Sequence, residues 1–434
     1  MTAIEIIAKK RDRQELTTAE IAWMVGGFVR GEVADAQMAA LLMAILLNGM
    51  TGRECADLTL AMTDSGERID LSGIAGVKVD KHSTGGVGDK TTLVVAPLVS
   101  ALGVPVAKMS GRSLGHTGGT IDKLEVIRGL RTDLTPARFV SQVSKIGIAI
   151  AAQTAKMVPA DKKMYALRDA TATVESVPLI ASSVMSKKLA SGADAIALDV
   201  KAGAGAFMPD VARASELARM MVEIGAHNGK RMVALVTRMD QPLGAAVGDA
   251  VELAEAVAVL SGEGPADMIE LCQTLAAHML VLGGVSRDLD DGVARAREGL
   301  RTRVGLAKLR QMVIAQGGDP SVIDSPELLF RGLERIPITL DRQGVVASLD
   351  ARQVGLAIRD LKAAAGDRKQ YCGTLLSRKV GDAADGEAAV LLYPSGVRNA
   401  AASAANRIRA AYCVADAAPP AAPLVAETIT SRSL

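Results

Sequence analysis

Two glycine-rich segments carry basic and hydroxyl side chains in a pattern that suits the binding of a phosphate-like anion. The first glycine loop, KHSTGGVGDKTT (residues 81–92), follows a predicted strand and precedes a predicted helix. Glycines let the backbone approach an anion closely, and the helix N-terminus contributes N–H groups. A positive charge and hydroxyl donors come from Lys81, Ser83, Thr91 and Thr92. This composition predicts a phosphate cradle.

Two nucleotide-binding motifs with similar glycine content do not fit this loop. The P-loop pattern G-x-x-x-x-G-K-[ST] needs glycine directly before its lysine, but Asp89 precedes Lys90 and Thr84 stands where the motif begins. The loop is also not G-x-G-x-x-G, the dinucleotide-binding pattern. A tight structural turn remains the alternative. Basic and hydroxyl residues at a strand end, such as Lys81 and Ser83, favour a ligand site.

The second glycine loop, KMSGRSLGHTGGT (residues 108–120), also follows a predicted strand. Two neighbouring strand ends that each carry a lysine and hydroxyls can converge on one dianion. A second loop of this composition is much harder to explain as a tight structural turn alone. The side chains that this loop offers are Lys108, Ser110, Arg112, His116, Thr117 and Thr120.

The elements that position these loops begin with a series of short helices over the first sixty-odd residues. Thr17 or Thr18, Asp35 and Thr51 are predicted N-caps. The run Ala36–Leu47 is apolar on all sides, which predicts burial in a helical bundle or in a subunit contact. Glycines 49, 52 and 66 are predicted to separate these helices.

From Val77 onward, short β-branched runs alternate with helical ones, which predicts a mostly parallel sheet covered by helices. The fold class is therefore α/β and multidomain: a small all-helical domain, a large α/β domain with a mostly parallel central sheet, and a C-terminal α+β subdomain. Residues 417–427 have a loop-like composition. The predicted domains are 1–65 with 160–193 (helical), 75–158 with 194–335 (α/β), and 336–434 (C-terminal).

Composition excludes several classes of protein. The chain has 434 residues, too many for one core, and a net charge of +2 with only 2% aromatic residues, which disfavours a general nucleic-acid binder. Its four cysteines show no CxxC or CxxH spacing, which favours reduced thiols over structural zinc. We find no signal peptide and no apolar run of membrane-spanning length, so we expect a cytoplasmic protein without a membrane partner.

The segment SGRSLGHTGGTIDKLE (residues 110–125) resembles the signature of the thymidine and pyrimidine-nucleoside phosphorylases, and KHSTGGVGD resembles their phosphate loop. The resemblance continues in AKKRD (8–12), LDVKAGAGAFM (198–208) and MDQPLGAAVGDAVE (239–252), so it covers most of the chain. There are two departures: Ser113 stands where the family usually has Gly or Ala, and Asp249 stands where Asn is usual.

This resemblance implies reversible phosphorolysis of uridine, thymidine or deoxyuridine, with inorganic phosphate as co-substrate and no organic cofactor. It assigns the base to Arg168, Ser183 and Lys187, and Ser183 and Lys187 share one face of a helix. Taken singly, Arg168 could equally form a surface ion pair with Asp161 or Asp169, and Lys187 could be a solvated lysine beside Lys188. The phosphate residues that the resemblance implies are Lys81, Ser83, Thr92, Lys108, Ser110 and Thr120.

The chemistry explains why cations face the base. As phosphate attacks C1′, the base leaves with negative charge, which fixed cations such as Arg168 and Lys187 stabilise. We assign His82 to donate a hydrogen bond or a proton to a base oxygen; a purely structural histidine is the alternative. His116 either touches the substrate or orients its own loop. The predicted catalytic residues are therefore His82, Arg168 and Lys187.

The resemblance further implies a monovalent cation, usually K⁺, a homodimer formed through the N-terminal helices, and closure of two domains over the substrate. Hinge candidates are residues 65–80, 155–160 and 190–196. Lys90 would supply only its main-chain oxygen to the cation, because an ammonium group cannot ligate a metal. A plain salt bridge or a helix pair is the alternative for Glu255. The cation ligands that the resemblance implies are Gly88, Lys90, Leu243, Ala246 and Glu255.

Three other interpretations remain open at this point. One is a strict thymidine phosphorylase, although Lys108 in VAKMSG favours the broader pyrimidine-nucleoside branch. Another is a phosphoribosyltransferase of the anthranilate type, which would need a different glycine loop and a Mg²⁺–diphosphate site. The third is a nucleotide-sensing module without activity, which the full set of basic residues disfavours.

Overall fold

The computed structural model describes residues 1–113, 115–154 and 156–431. Its first part is a group of four helices separated by short turns. Lys10 and Glu54 form a buried ion pair of 2.9 Å that joins the first and fourth of them. The helices are α1 (Ala3–Arg11), α2 (Thr18–Arg30), α3 (Asp35–Asn48) and α4 (Gly52–Thr63).

The helix starts show which predicted caps are formed. Thr17 and Thr51 cap α2 and α4, each in a capping box with the glutamate three residues later. The prediction for Asp35 was wrong: Ala34 is the N-cap of α3, and its N–H donates to Gln37 Oε1 at 3.1 Å. Asp35 is instead the first helical residue, where a negative charge still suits the helix dipole. Gly52 likewise begins α4 and does not separate two helices.

The middle of the chain alternates strands and helices, as predicted. Its strands are almost entirely buried because helices cover both faces. In order, the elements are β1 (Val79–Ser83), α5 (Thr91–Ala101), β2 (Val106–Ser110), α6 (Thr120–Leu124), α7 (Pro136–Ile146), β3 (Ile148–Ala152), α8 (Pro159–Ala170), α9 (Val177–Ala190), β4 (Ala195–Ala202), α10 (Val211–His227), β5 (Arg231–Arg238), β6 (Ala246–Val247), α11 (Asp249–Leu260), α12 (Ala266–Leu282), α13 (Leu289–Arg301), α14 (Val304–Ala315) and α15 (Ser321–Asp324).

The last part of the chain contains a long strand that starts at Leu333, three residues before the predicted domain boundary at 336. In order, the elements are β7 (Leu333–Leu349), α16 (Ala351–Ala365), β8 (Gly373–Leu376), β9 (Ala383–Pro394), α17 (Arg398–Ala410), β10 (Tyr412–Ala415) and β11 (Val425–Thr430), with short 3-10 turns at Pro326–Phe330 and Gly366–Tyr371. An antiparallel sheet in the order β10-β7-β9-β8-β6 gives this part its α+β character.

The central sheet has the order β1-β4-β5-β11, in which the first three strands are parallel. A parallel pair, β2 and β3, lies beside β1, where the Val79 N–H donates to Pro105 O at 3.1 Å. Strand β11 pairs antiparallel with β5. The prediction of a loop over residues 417–427 was therefore wrong from Val425 onward, where this strand starts. The result is a small N-terminal helical domain with a large α/β domain whose sheet is mostly parallel.

Helices α8 and α9 pack against the N-terminal helices. Met164 of α8 and Leu179 of α9 share one apolar cluster with Met24 and Leu42. Leu47 of α3 is 73% exposed, so this residue is not buried within the helical bundle, and a subunit contact stays the predicted alternative. In the described part of the chain, no helix combines the length and the apolar character needed to cross a membrane.

Candidate active site

The two glycine loops follow β1 and β2, which end at Ser83 and Ser110 on the same edge of neighbouring parallel strands. A cavity of about 340 Å³ lies at this edge. Its opposite wall comes from α8 and α9. Among its lining residues are His82, Ser83, Thr92, Lys108, Ser110, Thr120, Arg168, Ser183 and Lys187. The cavity thus brings together predicted phosphate residues and all the predicted base residues.

Lys81 is the exception among the predicted phosphate residues, because it does not line the cavity. Its ammonium group is buried behind the wall, where it donates to Thr91 Oγ1 at 2.5 Å and lies 3.4 Å from Asp199. Asp199 also pairs with the buried Lys201 at 2.8 Å. Lys81 therefore supports the first glycine loop through Thr91 and does not itself reach the cavity.

Lys108 lines the cavity and belongs to a second buried group of charges. Asp80 lies 3.5 Å from Lys108 and 2.7 Å from Lys188. Burial, together with the ammonium groups of Lys188 and Lys81, holds the pKa of Lys108 well below its usual value, although Asp80 acts in the opposite direction. A dianion in the cavity would relieve this repulsion. A bound dianion would therefore favour the charged form of Lys108.

Sequence reasoning missed four of these charged residues. A signal was present for three of them, because Asp199 and Lys201 interrupt the apolar strand β4 and Lys188 lies in the buried helix α9. Asp89 lines the cavity, whereas Asp80, Asp199 and the buried lysines Lys81, Lys188 and Lys201 do not. The missed residues are Asp80, Lys188, Asp199 and Lys201.

His82 lies in the cavity as a neutral imidazole. Burial and the surrounding ammonium groups, first that of Lys188 and then that of Lys108, hold the pKa of His82 well below its usual value. Its Nε2 atom has no hydrogen-bond partner among the described residues. A pKa lowered in this way disfavours the imidazolium form, which is the form that would donate a proton.

Arg168 is buried in the last turn of α8 and points its guanidinium group at main-chain oxygens. It donates to Thr173 O at 3.3 Å, Leu179 O at 3.2 Å and Val174 O at 2.6 Å. No carboxylate in the described part of the chain forms an ion pair with it, so the alternative of a surface ion pair is wrong. Burial lowers the pKa of Arg168, but a guanidinium group remains charged.

Lys187 lies one turn after Ser183 on α9, as the four-residue spacing predicted. Its ammonium group donates to Ser183 Oγ and O, both at 3.0 Å, and pairs with Asp161 of α8 at 2.7 Å. The alternative of two solvated neighbouring lysines is wrong, because Lys188 points away to Asp80. Asp161 thus orients Lys187 towards the cavity, a role that sequence reasoning did not assign to it.

Lys123 ties the two glycine loops together. Its buried ammonium group donates to Asp89 O at 2.9 Å and Gly118 O at 3.2 Å, and it pairs with Glu252 at 3.1 Å. Burial alone would lower the pKa of Lys123, but Glu252, Asp89 and Asp249 outweigh it and raise that pKa. The lysine therefore stays charged and fixes the distance between the loops.

We expect Lys123→Met to lower the free energy of unfolding by about 3–5 kcal/mol, because Glu252 keeps a buried charge without its partner. The KM for phosphate should rise as well, since the loops lose their common anchor. Denaturant unfolding and phosphate saturation curves measure the two effects. Adding Glu252→Gln should restore part of the stability and leave the KM high. Unchanged values in Lys123→Met would contradict this role.

The remaining features of the second glycine loop are structural. His116 does not line the cavity; its Nε2 lies 3.2 Å from Gly205 O and its ring packs against Phe207, so it orients its own loop. Ser113 donates its N–H to Asp122 Oδ2 at 2.6 Å and has no positive φ, so this departure from the family costs no backbone strain. A Cβ at Gly119 would lie 2.4 Å from Ser113 N, which explains the glycine there.

Comparisons with known proteins agree with this geometry. The family models "Glycosyl transferase family, helical bundle domain" and "Glycosyl transferase family, a/b domain" match residues 4–66 and 75–307. The chain is 50% identical over 398 residues to the pyrimidine-nucleoside phosphorylase of Bacillus subtilis (strain 168), covering 91% of this chain and 92% of that protein. The chain belongs to the pyrimidine-nucleoside phosphorylase family.

Other relatives support this membership. The pyrimidine-nucleoside phosphorylase of Geobacillus stearothermophilus is 48% identical over the same share of both chains, 91% and 92%. Anthranilate phosphoribosyltransferase from Thermus thermophilus superposes with a TM-score of 0.59 at 21% identity, covering 72% of this chain and 99% of that one. At that identity the likeness shows a common fold alone. The second family is thus a distant structural neighbour of the pyrimidine-nucleoside phosphorylases.

The cation site that the family resemblance implied does not fit a free ion in this chain. The Lys90 main-chain oxygen accepts a hydrogen bond from Leu93 N at 2.9 Å as part of α5. Its ammonium group instead donates hydrogen bonds to three of the predicted cation ligands: Leu243 O at 3.0 Å, Ala246 O at 2.9 Å and the Glu255 carboxylate. An ammonium group therefore engages the oxygens assigned to K⁺.

Proposed function

We propose that this chain catalyses the reversible phosphorolysis of pyrimidine nucleosides to the free base and ribose or deoxyribose 1-phosphate. The observation that carries the proposal is the single cavity that joins both glycine loops to Arg168 and Lys187. A dianion held by the loops faces two fixed cations, which is the arrangement that this reaction needs. Uridine, thymidine and deoxyuridine are the proposed nucleosides, with phosphate as the co-substrate.

Each group has a proposed part in the reaction. Ser83, Thr92, Lys108, Ser110 and Thr120 hold phosphate, which attacks C1′ of the sugar as the bond to N1 of the base breaks. The sugar gains positive charge next to the phosphate dianion, and the base gains negative charge. Arg168, Lys187 and Ser183 bind the base, and His82 donates a hydrogen bond to one of its oxygens. These groups are fixed before the reaction, so little energy is lost in reorganising them.

Closure of the cavity is part of the proposal. We divide the chain into residues 1–65 with 160–193, 75–158 with 194–335, and 336–434, except that Val425–Thr430 pairs with the central sheet. The phosphate and base residues lie on opposite walls, so movement of the first two parts would exclude water, the competing nucleophile. The proposed hinges are residues 65–80, 155–160 and 190–196. Ala155 lies outside the described residues.

The test is release of free base from each of the three nucleosides, with and without phosphate, followed by chromatography. We expect uracil or thymine to appear only when phosphate is present. Release from thymidine but not from uridine would indicate a strict thymidine phosphorylase. Product formation from phosphoribosyl diphosphate and an amine acceptor, without base release, would favour the phosphoribosyltransferase instead. No base from any nucleoside would overturn the proposal.

We also propose a cytoplasmic homodimer that serves nucleoside salvage, with α1 and α3 at the subunit contact. Ile4 and Leu47 on these helices are 71% and 73% exposed, which is unusual for large apolar residues in water. Leu47→Glu should therefore halve the mass measured by light scattering. Leu289→Glu, at the exposed start of α13, is the matched control and should leave the mass unchanged. A Leu47→Glu protein with the parental dimer mass would contradict this contact.

A further inference from the structure

Lys90 lies at the end of the first glycine loop, directly before α5, and its side chain is completely buried. Three oxygen acceptors surround its ammonium group: the main-chain oxygens of Leu243 and Ala246 and the carboxylate of Glu255. Two carbonyls and one carboxylate are the hard oxygen ligands that suit a monovalent cation. The ammonium group therefore sits in a ready-made cation site.

The site is saturated by this one group. An ammonium group has three N–H donors, and each has an acceptor here. The other oxygen of Glu255 accepts the N–H groups of Ala245 at 2.8 Å and Ala246 at 3.1 Å. A Cβ at Gly244 would lie only 2.9 Å from Lys90 Nζ, which shows how closely the backbone surrounds the charge. A free ion would have to share both the oxygens and the single carboxylate with an ammonium group of the same sign.

We infer that the Lys90 ammonium replaces a bound monovalent cation, so that this chain folds and works without K⁺. A cation tethered to the chain is present at any salt concentration, because it loses no translational freedom on binding. The inference concerns the cation that the fold requires. It rests on the proposed function only in the experiment that measures phosphorolysis.

The tethered charge holds three segments in place. Lys90 belongs to the first glycine loop, the two carbonyls belong to residues 243–246, and Glu255 belongs to α11. The next residue, Thr91, contacts both Lys81 and Asp89 through its hydroxyl group. Loss of the ammonium group should therefore disturb the phosphate loop as well as the local fold.

The experiment compares thermal unfolding and phosphorolysis in about 100 mM KCl with the same concentration of tetramethylammonium chloride, whose cation is too large for the site. The wild-type melting temperature should differ by less than about 1 °C between the two salts, because no K⁺ binds the folded state selectively. Its rate of phosphorolysis should be the same within about twofold, for the same reason.

Lys90→Ala removes the ammonium group and leaves its oxygens around a small cavity. In tetramethylammonium we expect its melting temperature to fall by about 5–10 °C, because Glu255 has lost its partner. KCl should recover a large part of this loss by filling the cavity. Lys90→Met fills the same space without charge, so its melting temperature should stay low in both salts.

Lys362→Ala is the matched control, because Lys362 pairs with Asp249 at 2.5 Å without any main-chain oxygen ligand. Its melting temperature should not respond to K⁺. The inference would be overturned if KCl raised the melting temperature of the wild-type protein by several times 1 °C, or its rate of phosphorolysis by several times twofold, relative to tetramethylammonium chloride. So would a Lys90→Ala protein that is as stable as wild type without K⁺. The melting temperatures decide the matter even if the chain releases no base.

Discussion

Replacing Arg168 by alanine is expected to lower kcat about 10²–10³-fold, which is the usual effect of removing one fixed donor that faces developing negative charge. The guanidinium group lines the cavity, and no carboxylate of the described residues forms an ion pair with it, although Asp161 favours its charged form. We expect this positive charge to stabilise the departing base. The proposed phosphate residues lie on the opposite wall, so phosphate saturation should change little.

The same substitution has a structural component, because Arg168 donates to three main-chain oxygens between α8 and the start of α9. Arg168→Lys separates the two effects: it keeps the charge but loses the branched hydrogen bonding that holds the base. Asp169→Ala, at the exposed next residue, is the neutral control. Arg168→Ala with near-normal turnover, or with a phosphate KM that rises as much as kcat falls, would contradict the proposed role.

The backbone of this site was largely predictable from the sequence. Glycine loops after apolar runs predicted two strands that end near Lys81 and Lys108; the strands continue to Ser83 and Ser110, and the ends of parallel strands meet at one edge. The helical spacing of Ser183 and Lys187 predicted a common face. These predictions depend on local geometry, such as the turn of a helix or the end of a strand, which neighbouring residues in the sequence determine.

The direction of long side chains was less predictable. Lys81 and Lys90 both lie in the first glycine loop, and both turn away from the anion cavity towards carboxylates that are distant in sequence, Asp199 and Glu255. Nothing within the loop specifies those partners. The loss of solvation on burial decides the outcome, because a buried ammonium group must find a carboxylate wherever the fold supplies one.

Strand β11 was missed for a similar reason. The short run Val425–Thr430 is rich in β-branched residues, but it follows a proline-rich segment, and its first residues were assigned to that loop. It forms because β5 offers a free edge at which Val425 pairs with Thr237 and Thr430 pairs with Val233. The chain must cross from the C-terminal sheet to reach that edge, which periodicity along the sequence does not reveal.

The second large effect is expected at Lys108. Lys108→Met should raise the dissociation constant for a dianion about 10–100-fold, because hydrogen bonds to charged groups contribute roughly 1.5–3 kcal/mol. Sulfate is the cleanest probe, since it keeps both charges across the pH range in which phosphate gains and loses a proton. Its inhibition of phosphorolysis, or its calorimetric binding, measures the constant.

The affinity of the wild-type protein for sulfate should also fall as pH rises. In the free protein the pKa of Lys108 is well below its usual value, and a bound dianion raises that pKa. Between the two pKa values, binding takes up one proton, so affinity falls up to tenfold per pH unit. Below the lower value the lysine is charged in both states, and above the higher value it is neutral in both, so the dependence disappears.

The affinity of the Lys108→Met protein should not depend on pH in this way. The affinity of the wild-type protein should fall towards that of Lys108→Met as Lys108 becomes neutral at high pH. His82→Gln is the control for the other group whose pKa is lowered here, and it should keep the dependence at alkaline pH. Asp80 retains Lys188 at 2.7 Å in the Lys108→Met protein, so no buried carboxylate loses its only partner and the melting temperature should not fall. Weaker dianion binding at an unchanged melting temperature would place Lys108 in the anion site. If Lys108 served only the fold, its replacement would lower the melting temperature and leave the affinity for the dianion unchanged.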